Sequence, residues 1–166
     1  TTVEEIIELS GTSKGSFYHY FDGKDALLST LSSLFDEKYD ELTGLLTPEM
    51  TAMEQLLFLN RELFHMIEDS ISLDLLARLY STQLTTNGEK HLLDHNRIYY
   101  KLLRKIIAKG QAEGQLSSRS NVNEMVKLYA LCERALLYDW CLCAGEYALT
   151  EYSAKVLPGF LSSFLP

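Results

Sequence analysis

Apolar residues recur along this chain at the spacing of an α-helix, and no stretch alternates as a strand would. From Lys24 onward, Leu27, Leu28, Leu31, Leu34, Phe35, Tyr39 and Leu42 keep to one helical face. Met53, Leu56, Leu57, Asn60, Phe64 and Ile67 repeat the pattern, as do Leu92, Leu93, Ile98, Leu102, Leu103, Ile106 and Ile107. The interruptions are helix punctuation: Gly11, Asp22-Gly23, Thr47-Pro48-Glu49, Asn87-Gly88, and Gly110 with Gly114. The predicted fold is therefore all-α. A proline at a first helical position predicts a helix start at Thr47-Pro48-Glu49. Further helices are predicted over about 72–85, from Asn87-Gly88 to a frayed end at Gly110 and Gly114, over 121–144, and over 150–164 with a kink at Pro158. With 3 prolines and 9 glycines in 166 residues, the turn content of a β-sandwich is missing.

The first 28 residues carry a more specific pattern. Thr2 caps a helix that places Val3, Ile6, Ile7 and Ser10 on one face and Glu4, Glu5 and Glu8 outside. Gly11 ends it, Thr12 or Ser13 caps the next, and Phe17 and Phe21 lie one turn apart on an inner face. A third helix opens at Lys24. Two short helices about a tight turn form the geometry of a helix-turn-helix, which sets its second helix in the DNA major groove. Gly15 inside that helix costs about 1 kcal/mol relative to alanine, which close approach to a duplex would explain. Tyr18 and His19 point away from the phenylalanines and can offer donors or ring contacts to phosphates or base edges, although ordinary surface aromatics fit the same positions. Lys24 opposes the dipole of the helix it begins, which a phosphate there would offset; plain solvation of the side chain is the other reading.

Charge limits how such a reader works. The chain carries a net charge of -8, which argues against wholesale, sequence-blind adhesion to nucleic acid. Between Thr1 and Asp25 the cations are Lys14 and Lys24, against Glu4, Glu5, Glu8, Asp22 and Asp25. Any DNA contact rests on shape and a few placed groups.

The ordered combination Thr2-Val3-x-x-Ile6, Gly11-x-Ser13-Lys14-Gly15-Ser16-Phe17-Tyr18-His19-Tyr20-Phe21 and Lys24-x-x-Leu27-Leu28 resembles the DNA-binding signature of TetR-family transcriptional regulators. Gly110-x-x-x-Gly114 is similar to a loop entry that recurs in the same family. The resemblance implies a DNA-binding helix-turn-helix over 1–28 and a helical ligand-binding and dimerisation domain over 29–166. It implies that Thr2, Thr12, Ser13, Lys14, Gly15, Ser16, Tyr18, His19 and Lys24 face operator DNA, with Phe17 and Phe21 in the core and Tyr20 shared between core and backbone. It further implies a homodimer paired through the last two long helices, and release from double-stranded operator DNA by a small-molecule inducer. A preceding helix and a basic arm complete the reader in the family. Here Thr1 stands where the second helix begins, so the chain as it stands is expected to bind DNA weakly. Gly23 replaces the serine cap more usual in the family.

In the body, the stretch Asn121 to Trp140 is apolar almost all round, which suits burial on two sides. Leu136, Trp140, Val156, Phe160 and Phe164 are expected at a dimer interface, the alternative being a central core helix within a monomer. Met53, Phe64, Leu76, Tyr80, Tyr99, Tyr100, Leu103, Tyr129 and Cys132 are expected around a ligand, because a buried tyrosine hydroxyl needs a partner. Ordinary core packing uses the same residue types, so the two readings stand side by side. The aromatic content suits an apolar or aromatic ligand. His91 and His95 flank Asp94 at the spacing of one helical turn, but no further ligand accompanies them, and a solvated face explains them as well. Cys141 and Cys143 lie among apolar residues, as inert buried thiols do. No pattern places Glu62 and Glu68 in a cleft. No phosphate loop or nucleophile motif occurs, so neither an enzyme nor a cofactor or metal site is expected. Three cysteines fit no disulfide framework, and no stretch approaches the ~18 apolar residues of a membrane span. These features point to the cytoplasm. The competing function is a helical ligand- or protein-binding module with no DNA role.

Overall fold

The computed structural model describes residues 24–88 and 90–166, and side chains from Thr30 onward. Among the described residues there are six α-helices and no strand: α1 Lys24–Thr43, α2 Ala52–Ser70, α3 Leu73–Thr85, α4 Ile98–Ala112, α5 Val122–Leu142 and α6 Leu149–Phe160. Single turns of 3-10 helix cover His91–Leu93 and Ser162–Phe164.

The helix starts follow local hydrogen bonding. α2 begins later than its proline predicts. Thr51 accepts the Glu54 backbone N–H while Glu54 accepts that of Thr51, a reciprocal box that satisfies two otherwise orphaned donors. Thr47 to Met50 form a turn instead. The same box, Asn121 with Glu124, starts α5, and Ser72 caps α3. The long helix expected after Gly88 does not begin until Ile98, because Leu92 and Leu93 belong to the short turn before it. Pro158 lies inside α6, two residues before its end.

The end of α4 explains the paired glycines. Gly110 does not fray the helix; it is a contact point. A Cβ there would come within 2.6 Å of Ala52 Cβ and 2.8 Å of Leu116. Its carbonyl accepts the Gln115 and Leu116 N–H groups as the chain reverses through Gly114, whose φ is +72°. Gln115 then accepts the Ala52 N–H, locking the end of α4 to the start of α2.

α2 packs most extensively on α6, α4 lies against α2 and α5, and α1 crosses α2, α3 and α4. One continuous core runs through them, including Leu31, Phe35, Leu56, Phe64, Ile67, Leu76, Leu103, Ile107, Tyr129, Leu137 and Leu157. α6 is held by a carboxylate from another helix. Glu68 of α2 accepts the Leu149 and Thr150 N–H groups at 2.6 and 3.2 Å and the Thr150 hydroxyl at 2.8 Å. A negative charge at a helix N-terminus is stabilised by both the free donors and the dipole. That capping role accounts for Glu68.

Candidate functional site

α5 carries one acid on its buried face, and the core is arranged around it. Glu133 is 4% exposed among Tyr129, Ala130, Leu136 and Leu137. Its carboxylate accepts the Asn60 amide at 2.8 Å and the hydroxyl of Tyr99. Asn60 in turn accepts the Ser153 hydroxyl at 2.6 Å. A single polar chain thus joins α6, α2, α5 and α4 through the centre of the protein. Burial raises the Glu133 pKa from its ordinary value to about 6, with Tyr99, Asn60, Tyr129 and the nearby Arg134 opposing the rise. Burial, reinforced by the Glu133 charge, also lifts the phenols of Tyr39, Tyr99 and Tyr129. These groups stay neutral, so the tyrosines serve as donors. Tyr129 donates to the Leu56 carbonyl at 2.8 Å. Tyr39, Tyr100 and Tyr129 surround the Tyr99 ring, with centroid distances of 5.1, 5.0 and 6.5 Å.

A cavity of about 60 Å³ lies beside this chain. α1 contributes Phe35 and Tyr39 to its wall, α2 Leu63 and Ile67, α3 Leu76, Leu79 and Tyr80, and α5 Ala130, Glu133, Arg134 and Leu137. Leu92, Arg97 and Tyr99 close the remaining side. Arg97 is 9% exposed, and its Nε has no hydrogen-bond partner. Among the described residues no carboxylate forms an ion pair with it. Ala130 and Arg134 also line a larger open groove on the outside, bounded by Leu93, His95, Tyr100 and the first turn of α5.

Of the residues expected around a ligand, Leu76, Tyr80 and Tyr99 line this cavity. Phe64, Leu103 and Tyr129 are fully buried elsewhere in the core, and Cys132 is buried as well. Tyr100 donates to the Leu92 carbonyl and faces the outer groove, and Met53 is half-buried against the core near the start of α2. Sequence reasoning missed Arg97 and Glu133. Both carry a readable signal: a lone acid inside an otherwise apolar helix, and an arginine at a helix start, where the dipole disfavours it.

The residues expected at an interface separate in the same way. Leu136, Trp140 and Phe164 are buried inside the protomer, where Trp140 donates to the Tyr147 carbonyl at 2.9 Å. Val156 is half-buried and Phe160 is exposed. The exposed apolar residues of α5 are instead Leu128, Leu131, Tyr138 and Leu142, one row along the helix that also includes Ala135. Tyr152 and Phe160 of α6 are exposed too. His91 bonds Ser32, and His95 stacks on Tyr100 at 4.5 Å, so the two imidazoles serve different neighbours. Among the described residues no cluster of His, Cys, Asp or Glu is arranged to hold a metal, and no helix is long and apolar enough to cross a membrane.

The expected DNA-facing residues Thr2, Thr12, Ser13, Lys14, Gly15, Ser16, Tyr18 and His19 lie outside the described residues. Lys24 is the first described residue of α1. α1 runs unbroken through the expected domain boundary at residue 28. Residues 1–31 match the family model described as bacterial regulatory proteins, tetR family. No curated protein matches the chain. Among solved structures, the chain is similar to a transcriptional regulator FadR from Bacillus subtilis, crystallised in complex with stearoyl-CoA. The TM-score is 0.64 at 17% identity, over 99% of this chain and 89% of that one. The N-terminal segment is thus TetR-like in sequence, and the chain shares its fold with that structure.

Proposed function

We propose that this chain, TetR-like in its first 31 residues and folded like a known regulator, is a ligand-responsive DNA-binding transcriptional regulator and not an enzyme. Residues 1–28 read operator DNA and residues 29–166 form the sensing and pairing body. The observation that carries this reading is the course of α1. It begins inside the matched segment at Lys24 and ends in the body at Thr43, and on the way it supplies Phe35 and Tyr39 to the cavity wall. One helix therefore belongs to both the reader and the sensor.

The cavity of about 60 Å³ holds no more than a few waters. An inducer has to part the walls, and a ligand that binds the parted state better shifts the population toward it. Movement of α1 then changes the spacing of two reader heads at successive major grooves. The inducer is a small molecule with an apolar or aromatic body, and the protein acts as a repressor that this molecule releases. The similar Bacillus subtilis regulator was crystallised with a small molecule bound, which supports the sensing half of the reading. The homodimer forms across the exposed row of α5 together with Tyr152 and Phe160 of α6. Its setting is the cytoplasm, where Cys132, Cys141 and Cys143 remain free thiols.

The test is selection of a binding site from random duplexes with the protein carrying its native N-terminus, followed by mobility shift. Tyr18→Ala and Lys14→Ala are expected to weaken binding to the selected site by roughly tenfold or more, since one good contact is worth about 1–3 kcal/mol. Failure to enrich any sequence overturns the DNA-binding reading.

A further inference from the structure

Arg97 is the one buried cation that the fold leaves without a partner among the described residues, and it borders the cavity. A guanidinium N–H removed from water is costly unless an acceptor meets it. Arg97 also begins α4 without making a cap, so it serves no helix-start role that would explain its burial. The other charged groups on the cavity wall are Arg134 and Glu133. The Glu133 carboxylate is already engaged by Asn60 and Tyr99, and with two arginines against that one acid the wall carries an excess cation. The lining also includes the apolar Phe35, Leu63, Ile67, Leu76 and Leu137.

We propose that the ligand of this cavity is a monocarboxylic acid with a compact apolar or aromatic body, bound as its anion with the carboxylate on Arg97 and the body against Leu63, Ile67 and Leu76. This rests on the sensing role given to the cavity above and adds the chemical class. The planar fork of the guanidinium suits a carboxylate held by two parallel N–H···O bonds. Asp36, whose Oδ1 is also buried and unpartnered, acts on His91 alongside Arg97 but forms no ion pair with that arginine.

The experiment is calorimetric titration of the whole chain, without DNA, using hexanoate and phenylacetate and their neutral amides. The acids are expected to bind about tenfold to a hundredfold tighter than the amides, the range of a charge-assisted bond gained or lost. Arg97→Gln is expected to erase that preference. Because Arg97→Gln could impair folding, the Arg97 Nε–H resonance of the unaltered protein supplies a second readout. It shifts on adding either acid and stays still on adding either amide. Equal binding of acids and amides, a preference that survives Arg97→Gln, an unmoved Nε–H resonance, or no binding of the acids each overturns the carboxylate assignment. Acid-selective binding by a protein that selects no DNA site would retain the carboxylate inference and remove the regulator. DNA release by an uncharged ligand would do the reverse.

Discussion

Glu133 holds a charge where a charge is expensive, and its partners repay only part of the cost. Its folded pKa, about 6, lies above the ordinary carboxylate value of 4.5. Between those values the native state binds more protons than the unfolded chain, so this group's contribution to stability falls as pH rises through the window. The penalty is fully present above about pH 6 and amounts to about 2 kcal/mol. Glu133→Gln removes the titration and keeps groups able to bond Asn60 and Tyr99. Urea unfolding of both proteins across this pH range is therefore expected to show the variant gaining on the parent by about 2 kcal/mol from low to high pH. A flat difference would mean that the carboxylate is not desolvated. Glu133→Leu is expected to be destabilising at every pH, because it leaves Asn60 and Tyr99 unpaired, at about 1–3 kcal/mol for each buried polar group.

Among the elements, α4 ends under the tightest geometric constraint. Gly110→Ala improves helix propensity by about 1 kcal/mol but drives a methyl group into Ala52 and Leu116, and overpacking of this kind costs about 1–3 kcal/mol. A net loss of stability is expected in thermal unfolding, with α2 and α4 amides near the contact exchanging faster; a stabilised variant would refute the close packing. The two glycines stand out in sequence, but sequence supplies no distance, so a helix end looks frayed when it is clamped. Helix number and inner faces were legible for the same reason in reverse: periodicity reports which side of a helix is apolar, and Leu56, Asn60, Phe64 and Ile67 are all buried. Periodicity does not report what the side faces. That is why Leu136 and Trp140 could be assigned to a partner's surface when they pack inside. Glu68 shows the remaining gap. Its capping partners, Leu149 and Thr150, are far along the chain, and only the approach of α6 to α2 reveals the role.

At the scale of the whole molecule, α5 is the spine: one side builds the core and cavity, and the other leaves Leu128, Leu131, Tyr138 and Leu142 in water. On the pairing reading proposed above, this apolar row is the association surface. Leu131→Asp combined with Leu142→Asp is expected to give folded monomers in sedimentation velocity where the parent sediments as a dimer. A charge at Leu136, inside the core, is expected to unfold the protein instead. A parent that sediments as a monomer would remove the pairing surface. The shared helix α1 carries a last consequence. Phe35 and Tyr39 line the cavity, and on the regulatory reading the same rod carries the reader. On the regulatory reading, any change of taste made through those two side chains also resets how much operator is occupied before a ligand arrives, so sensitivity and basal silence evolve together.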